Sequence, residues 1–166
     1  MTYSPAMLLC DYEAMEHYMS LALEEAREAA RLGEVPVGAV IVCDGSIVGR
    51  GHNLTQKLRD VTAHAEMQAL TAASDTLGGK YLTDCTLFVT VEPCIMCAGA
   101  LGWSQTGAIV YGTDDPRRGF KSWFCARPET PSPLHPRTLV RGGILEEECR
   151  NVMQEFFKMR RRKPGQ

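Results

Sequence analysis

This 166-residue sequence contains no apolar run approaching the roughly 20 residues a membrane-spanning helix requires. No membrane association is expected. The first residues, MTYSPAMLLCDYEAMEH, lack the basic start that precedes the apolar core of a secretory signal. A cytoplasmic protein is therefore expected. The seven cysteines, at 10, 43, 85, 94, 97, 125 and 149, do not make an even set. With nothing pointing to secretion, free thiols and metal ligation are favoured over a disulfide framework. There is one CxxC, with no second CxxC and no HxxxH to complete a four-ligand structural zinc site. No internal repeat and no linker-like stretch divides the chain, so one domain over 1–166 is expected. Hydrophobic residues at 45% and charged residues at 23% are close to the usual globular mixture, which argues against disorder.

The net charge is only −2, but it is unevenly spread. Acids dominate 1–35. Arg117, Arg118, Lys121, Arg127, Arg137 and Arg141 face only Glu129 within 116–145. Lys158, Arg160, Arg161, Arg162 and Lys163 follow in the tail. Such asymmetry suits a nucleic-acid partner; it also suits a solvated surface with cations at a helix C-terminus.

Periodicity predicts a helix over 15–32 through Met15, Tyr18, Met19, Ala22, Ala26 and Ala29, ended by Gly33. VPVGAVIVC and SIVGRG flank Asp44-Gly45, a hairpin signal. Thr62 is the expected cap of a helix over about 63–76. CTLFVTV (85–91) reads as a buried strand. Pro93 is expected to open a helix to about 103, and GAIVYG (107–112) to form the next strand. Residues 113–137, with five prolines, read as a loop. A short strand near 138–141 and an amphipathic helix over 145–160, through Leu145, Cys149, Val152, Met153 and Phe156, complete the chain. This order suggests an α/β fold with one mixed sheet covered on both faces.

Cys94 and Cys97 lie one turn apart at a helix start, where the dipole favours thiolates. Alone, the pair is ambiguous between redox chemistry and zinc. His64, at the start of another helix, would add one nitrogen. Three protein ligands with an open fourth position is the catalytic zinc arrangement. Glu66, two residues beyond His64 on the same first turn, would then be placed to move protons without binding the metal. All of this requires the two segments to meet in space.

HAE at 64–66 and PCxxC at 93–97 resemble the H-x-E…P-C-x-x-C signature of the zinc nucleobase deaminases. GEVPVGAVIV, GRGHNLT, TAHAEMQAL, LFVTVEPCIMCAGAL, IVYG, GILEEEC and FFKMRRRK are similar to the bacterial tRNA-specific adenosine deaminases, within the cytidine/deoxycytidylate deaminase superfamily. The resemblance spans about 14–163. It implies a three-layer α/β/α cytidine-deaminase-like fold with a five-stranded sheet. It also implies one Zn²⁺ per subunit, held by His64, Cys94 and Cys97, with Glu66 as general acid and base. The implied reaction is hydrolysis of the wobble adenosine of a tRNA anticodon stem-loop to inosine. Asn53 would hydrogen-bond the flipped purine, and Phe156, Phe157 and Arg160 would touch the anticodon loop. By their spacing alone, Asn53 is equally a turn residue and Phe156 a core residue. A homodimer built partly on the small-residue stretch CAGALG is implied as well.

Two stretches depart from the family pattern. GWSQ at 102–105 has Trp103 where many relatives have histidine, and PRRGFKSWFCARPETPSPLHP is longer and richer in proline. Two other functions fit the same residues. One is a deaminase of a free nucleobase or nucleoside such as guanine or cytosine, which Trp103 near the pocket keeps open. The other is a non-catalytic zinc-containing binding module, with a fourth ligand from Cys43, Cys85, Cys125 or His135.

Overall fold

A computed structural model describes residues 3–126 and 129–162; Arg127 and Lys163 of the two basic stretches lie outside them. The sheet has five strands: β1 (Gly38–Cys43), β2 (Ser46–His52), β3 (Cys85–Val91), β4 (Ala108–Thr113) and β5 (Leu139–Arg141). Their spatial order is β2-β1-β3-β4-β5. β1 runs antiparallel to both β2 and β3, whereas β3, β4 and β5 run parallel. Successive strand residues point to opposite faces, so the apolar runs feed two cores. Ala39, Ile41, Leu87, Val89, Ile109 and Tyr111 face one side. There they meet α4 (Ala65–Leu77) and α5 (Ile95–Trp103). Val40, Val42, Phe88 and Val110 face the other, under α1 (Pro5–Leu8), α2 (Tyr12–Arg31) and α7 (Glu146–Arg161). The expected three-layer α/β/α arrangement is the observed one. Among the described residues no helix is long and apolar enough to cross a membrane.

Small residues set the layer spacing. A Cβ on Gly38 would run into the Ala22 carbonyl of α2, and one on Gly51 into the Ala65 carbonyl of α4. These glycines let helix backbone lie directly on strand backbone. Overpacking of this kind costs about 1–3 kcal/mol. Gly51→Ala is therefore expected to lower the unfolding free energy by that amount, read as a lower denaturant midpoint with an unchanged slope. An unchanged midpoint would show that α4 can ride further from the sheet.

Several expected boundaries shift. α2 begins earlier than 15, because Asp11 caps it by accepting from the Ala14 amide. Thr62 does not cap α4: it bonds Asp60, and His64 takes the N-cap position. Pro93 stands one residue before Cys94, the N-cap of α5. The 113–137 segment is not all loop, since α6 (Phe120–Cys125) lies within it. The short α1 and α3 (Thr55–Leu58) carry too few residues for a periodic signal.

Topology gathers one end of the sheet. Because β1 is antiparallel to β2 and β3, the segment entering β1 lies beside the segments leaving β2 and β3. The segment leaving β4 joins them. Val35 and Val37, Asn53, Glu92 and Cys94, and Asp115 and Arg118 come from these four segments, and all line one cleft.

Candidate active site

The cleft measures ≈ 260 Å³ and is completed by Thr55, His64, Ala65, Glu66 and Val91. His64 and Cys94 each sit at an N-cap, so both side chains leave their helices where the chain enters from the sheet edge. His64 Nδ1 lies 3.6 Å from Cys94 Sγ and 3.5 Å from Cys97 Sγ. A redox pair would need no such imidazole. Zinc sits about 2.3 Å from sulfur and about 2.0–2.1 Å from nitrogen, so tetrahedral angles separate the two donor types by about 3.5–3.6 Å. The observed spacing fits that edge, and the three donor atoms lie within 4.8 Å of one another.

The electrostatics fit a dication too. A hydrogen bond from the Cys97 thiol, with a further one from His64, pulls Cys94 down to about 4. Cys97 is pushed up in turn, by that hydrogen bond and by burial. The two sulfurs thus share one proton, and a divalent cation in its place would take both as thiolates. The Cys94 contact raises the His64 pKa. Burial pushes the Glu66 carboxyl up to about 7, close to the value a group needs to accept and release protons at neutral pH. Glu66 is 3% exposed and bonds its own amide and Cys97.

Among the described residues the metal-binding cluster holds His64, Cys94 and Cys97 alone. Cys43 and Cys85 face each other across β1 and β3, Cys125 is exposed, and His135 lines a separate hollow with Arg137. None supplies the fourth ligand that a structural zinc module would want.

Asn53 lines the cleft, yet it is also a turn residue. Its Nδ2 donates to the Val35 carbonyl (3.2 Å), and its Oδ1 accepts from the Thr55 amide (3.3 Å). Phe156, Phe157 and Arg160 do not line the cleft. Phe156 belongs to the core face of α7, 6% exposed, with the Arg160 guanidinium stacked 5.1 Å from its ring centroid. Phe157, Arg160 and Arg161 line a second groove together with Arg117. Trp103 is also absent from the cleft lining; it stands 86% exposed at the end of α5.

Sequence reasoning missed two buried glutamates that hold the cleft rims. Glu34 accepts from the Lys57 (2.7 Å) and Gln56 (3.2 Å) amides and from the Thr55 hydroxyl. Glu92 accepts from the Asp115 and Lys121 amides, each at 3.0 Å. Their signal was an acid set into an otherwise apolar run, EVPV or VEPC, where it must find a buried partner.

The chain matches the cytidine and deoxycytidylate deaminase zinc-binding region over residues 12–113. It is 44% identical over 160 residues to the chloroplastic tRNA(adenine(34)) deaminase of Arabidopsis thaliana. That match covers 87% of this chain but only 12% of the plant protein's length. It is 39% identical over 149 residues to the tRNA-specific adenosine deaminase of Streptococcus pyogenes serotype M18, covering 90% of this chain and 93% of the relative. A structure from a study of A-to-I editing by tRNA:A34 deaminases at the wobble position of transfer RNA superimposes with a TM-score of 0.73 at 39% identity. It covers 82% of this chain and 98% of the other. The matched region contains all three clustered donors and Glu66, and the longer matches extend over most of the remaining chain. This chain belongs to the zinc-binding cytidine and deoxycytidylate deaminase family and, within it, to the tRNA-specific adenosine deaminases.

Proposed function

We propose that this chain hydrolyses adenosine to inosine at the wobble position of a tRNA anticodon loop, releasing ammonia. The observation that carries this reading is the His64, Cys94 and Cys97 cluster with Glu66 buried beside it in an open cleft. His64, Cys94 and Cys97 would hold zinc, which when bound would supply a Lewis acid that makes water nucleophilic at neutral pH. Glu66 takes the proton of the attacking water and passes it to N1 of the adenine. Glu66 then takes the proton of the new C6 hydroxyl and delivers it to the departing amine, so that C6 becomes a carbonyl and ammonia leaves. Val35, Val37 and Val91 give the purine apolar walls, and Asn53, in the same lining, offers the base the Nδ2 hydrogen that the Val35 carbonyl does not take. A base stacked within a loop must be everted to enter. Phe157 and Arg160 then contact the flanking nucleotides from their groove, whereas Phe156 supports them from the core.

The whole chain acts as one catalytic domain in the cytoplasm. It works as a homodimer through the α5 face, where Ile95 and Trp103 are exposed and Gly99 has open space around it.

A deamination assay read by mass spectrometry tests the reading. An anticodon stem-loop with adenosine at the wobble position is expected to gain inosine, with apparent affinity falling steeply as salt rises. Free guanine, cytosine and adenosine are expected to stay unchanged. Turnover of a free base alone would overturn the substrate.

A further inference from the structure

The cleft has an electrostatic problem. Glu66, Glu92 and Asp115 line it together with Cys94, and among the described residues Arg118 is its one Lys or Arg. A polyanion entering such a site needs a cation at the mouth. Arg118 is exposed, and among the described residues its guanidinium has no carboxylate partner.

An exposed arginine on a loop is usually mobile, but the backbone that carries this one is fixed from below. Glu92 Oε2 accepts from the Asp115 amide and Oε1 from the Lys121 amide. Asp115 Oδ1 accepts from the Arg117 and Arg118 amides at 3.0 and 3.1 Å. Gly119 pairs with Cys94 in an isolated bridge, and a Cβ there would strike the Glu92 carboxyl. The Lys121 ammonium bonds Asp114 at 2.8 Å and lies 4.9 Å from the Tyr111 ring centroid. Arg118 therefore faces the cleft while its neighbour Arg117 faces the groove of Phe157, Arg160 and Arg161.

We propose that Arg118 binds a backbone phosphate next to the everted nucleotide, and that buried Glu92 is the positioning residue that holds Arg118 there. This rests on the RNA reading above. The guanidinium has donors only, which suits a phosphate oxygen. Both carboxylate oxygens of Glu92 are taken by the Asp115 and Lys121 amides, so it acts through the 115–121 turn.

The test is a double-mutant cycle on the zinc-loaded protein, with the stem-loop as substrate. Arg118→Ala is expected to raise KM about tenfold, near one charge-assisted hydrogen bond. Its kcat is expected to stay, and the salt slope of log KM to shrink by about 0.7, the value for one single-strand phosphate. Arg118→Lys should restore most of the slope. Glu92→Gln is expected to raise KM with full zinc content, and to add nothing in the Arg118→Ala background. Additive effects, a fall in kcat with KM unchanged, or loss of zinc from Glu92→Gln would overturn the assignment. Should Glu92→Gln fail to fold, Asp115→Asn takes its place in the cycle. A wild-type protein silent on the stem-loop would sink the RNA reading itself, whereas an active wild type with an unaffected Arg118→Ala would sink only this inference.

Discussion

Glu66→Gln is expected to keep one zinc per chain and lose turnover by at least about 10²–10⁴-fold, the usual worth of a positioned general acid–base. The substitution is almost isosteric, so packing around a side chain that is only 3% exposed should survive. What it removes is the exchangeable proton. Glu66 sits in the first turn of α4, two residues from His64, and its carboxyl reaches Cys97. Among the described residues no other acid has that position: Glu92 is committed to the 115–121 turn, and Asp115 to the amides of Arg117 and Arg118. Burial that raises the Glu66 pKa to about 7 also makes the ionised form costly, so the neutral amide should not destabilise the fold. Single-turnover mass spectrometry on the stem-loop, with zinc measured on the same sample, decides it. Activity within tenfold of wild type would move proton transfer to another group.

The second large effect should come from the cysteines. Cys94→Ala and Cys97→Ala are each expected to drop zinc from one equivalent to a small fraction and to abolish deamination. Two remaining donors, an imidazole and one thiol, are a poor site for a metal that prefers three or four. Cys97 is fully buried and Cys94 partly so, and both sulfurs lie within 3.6 Å of His64 Nδ1. Losing either opens one edge of that triangle. Metal binding contributes to folding where the ligands come from separate elements, so the melting temperature should fall with the zinc. Cys125→Ser is the control: this exposed thiol lies outside the cluster, and zinc and activity should both stay. Unchanged metal content in Cys94→Ala would dismiss it as a ligand.

Much of this molecule was legible in the chain itself. The strands announced themselves as apolar runs, and the order of helices and strands predicted one mixed sheet covered on both faces, because a sheet flanked by helices must bury both its sides. The long helices were legible in their periodicity. Met15, Met19, Ala22, Ala26 and Ala29 all lie buried on one stripe of α2. The metal ligands could be nominated from spacing and residue type, since Cys94 and Cys97 lie one turn apart wherever their helix sits.

Pairwise and long-range facts were not available in that way. That His64 meets both sulfurs depends on β1 running antiparallel to β3, which brings four chain segments to one sheet end. Phe156 and Phe157 are adjacent and alike, yet a 100° turn of helix sends one to the core and leaves the other 40% exposed. Asn53 looked like a substrate contact or a turn residue, and the fold makes it turn-bonded and cleft-lining at once. The segment 113–137 looked like open loop because its order comes from outside it. A carboxylate at position 92 satisfies amides 23 and 29 residues away, and no local periodicity encodes such a bond. Residue order was enough to read the layers and to nominate the donors. Which charges face the cleft followed only from packing, because buried carboxylates must find their donors wherever the folded chain brings them.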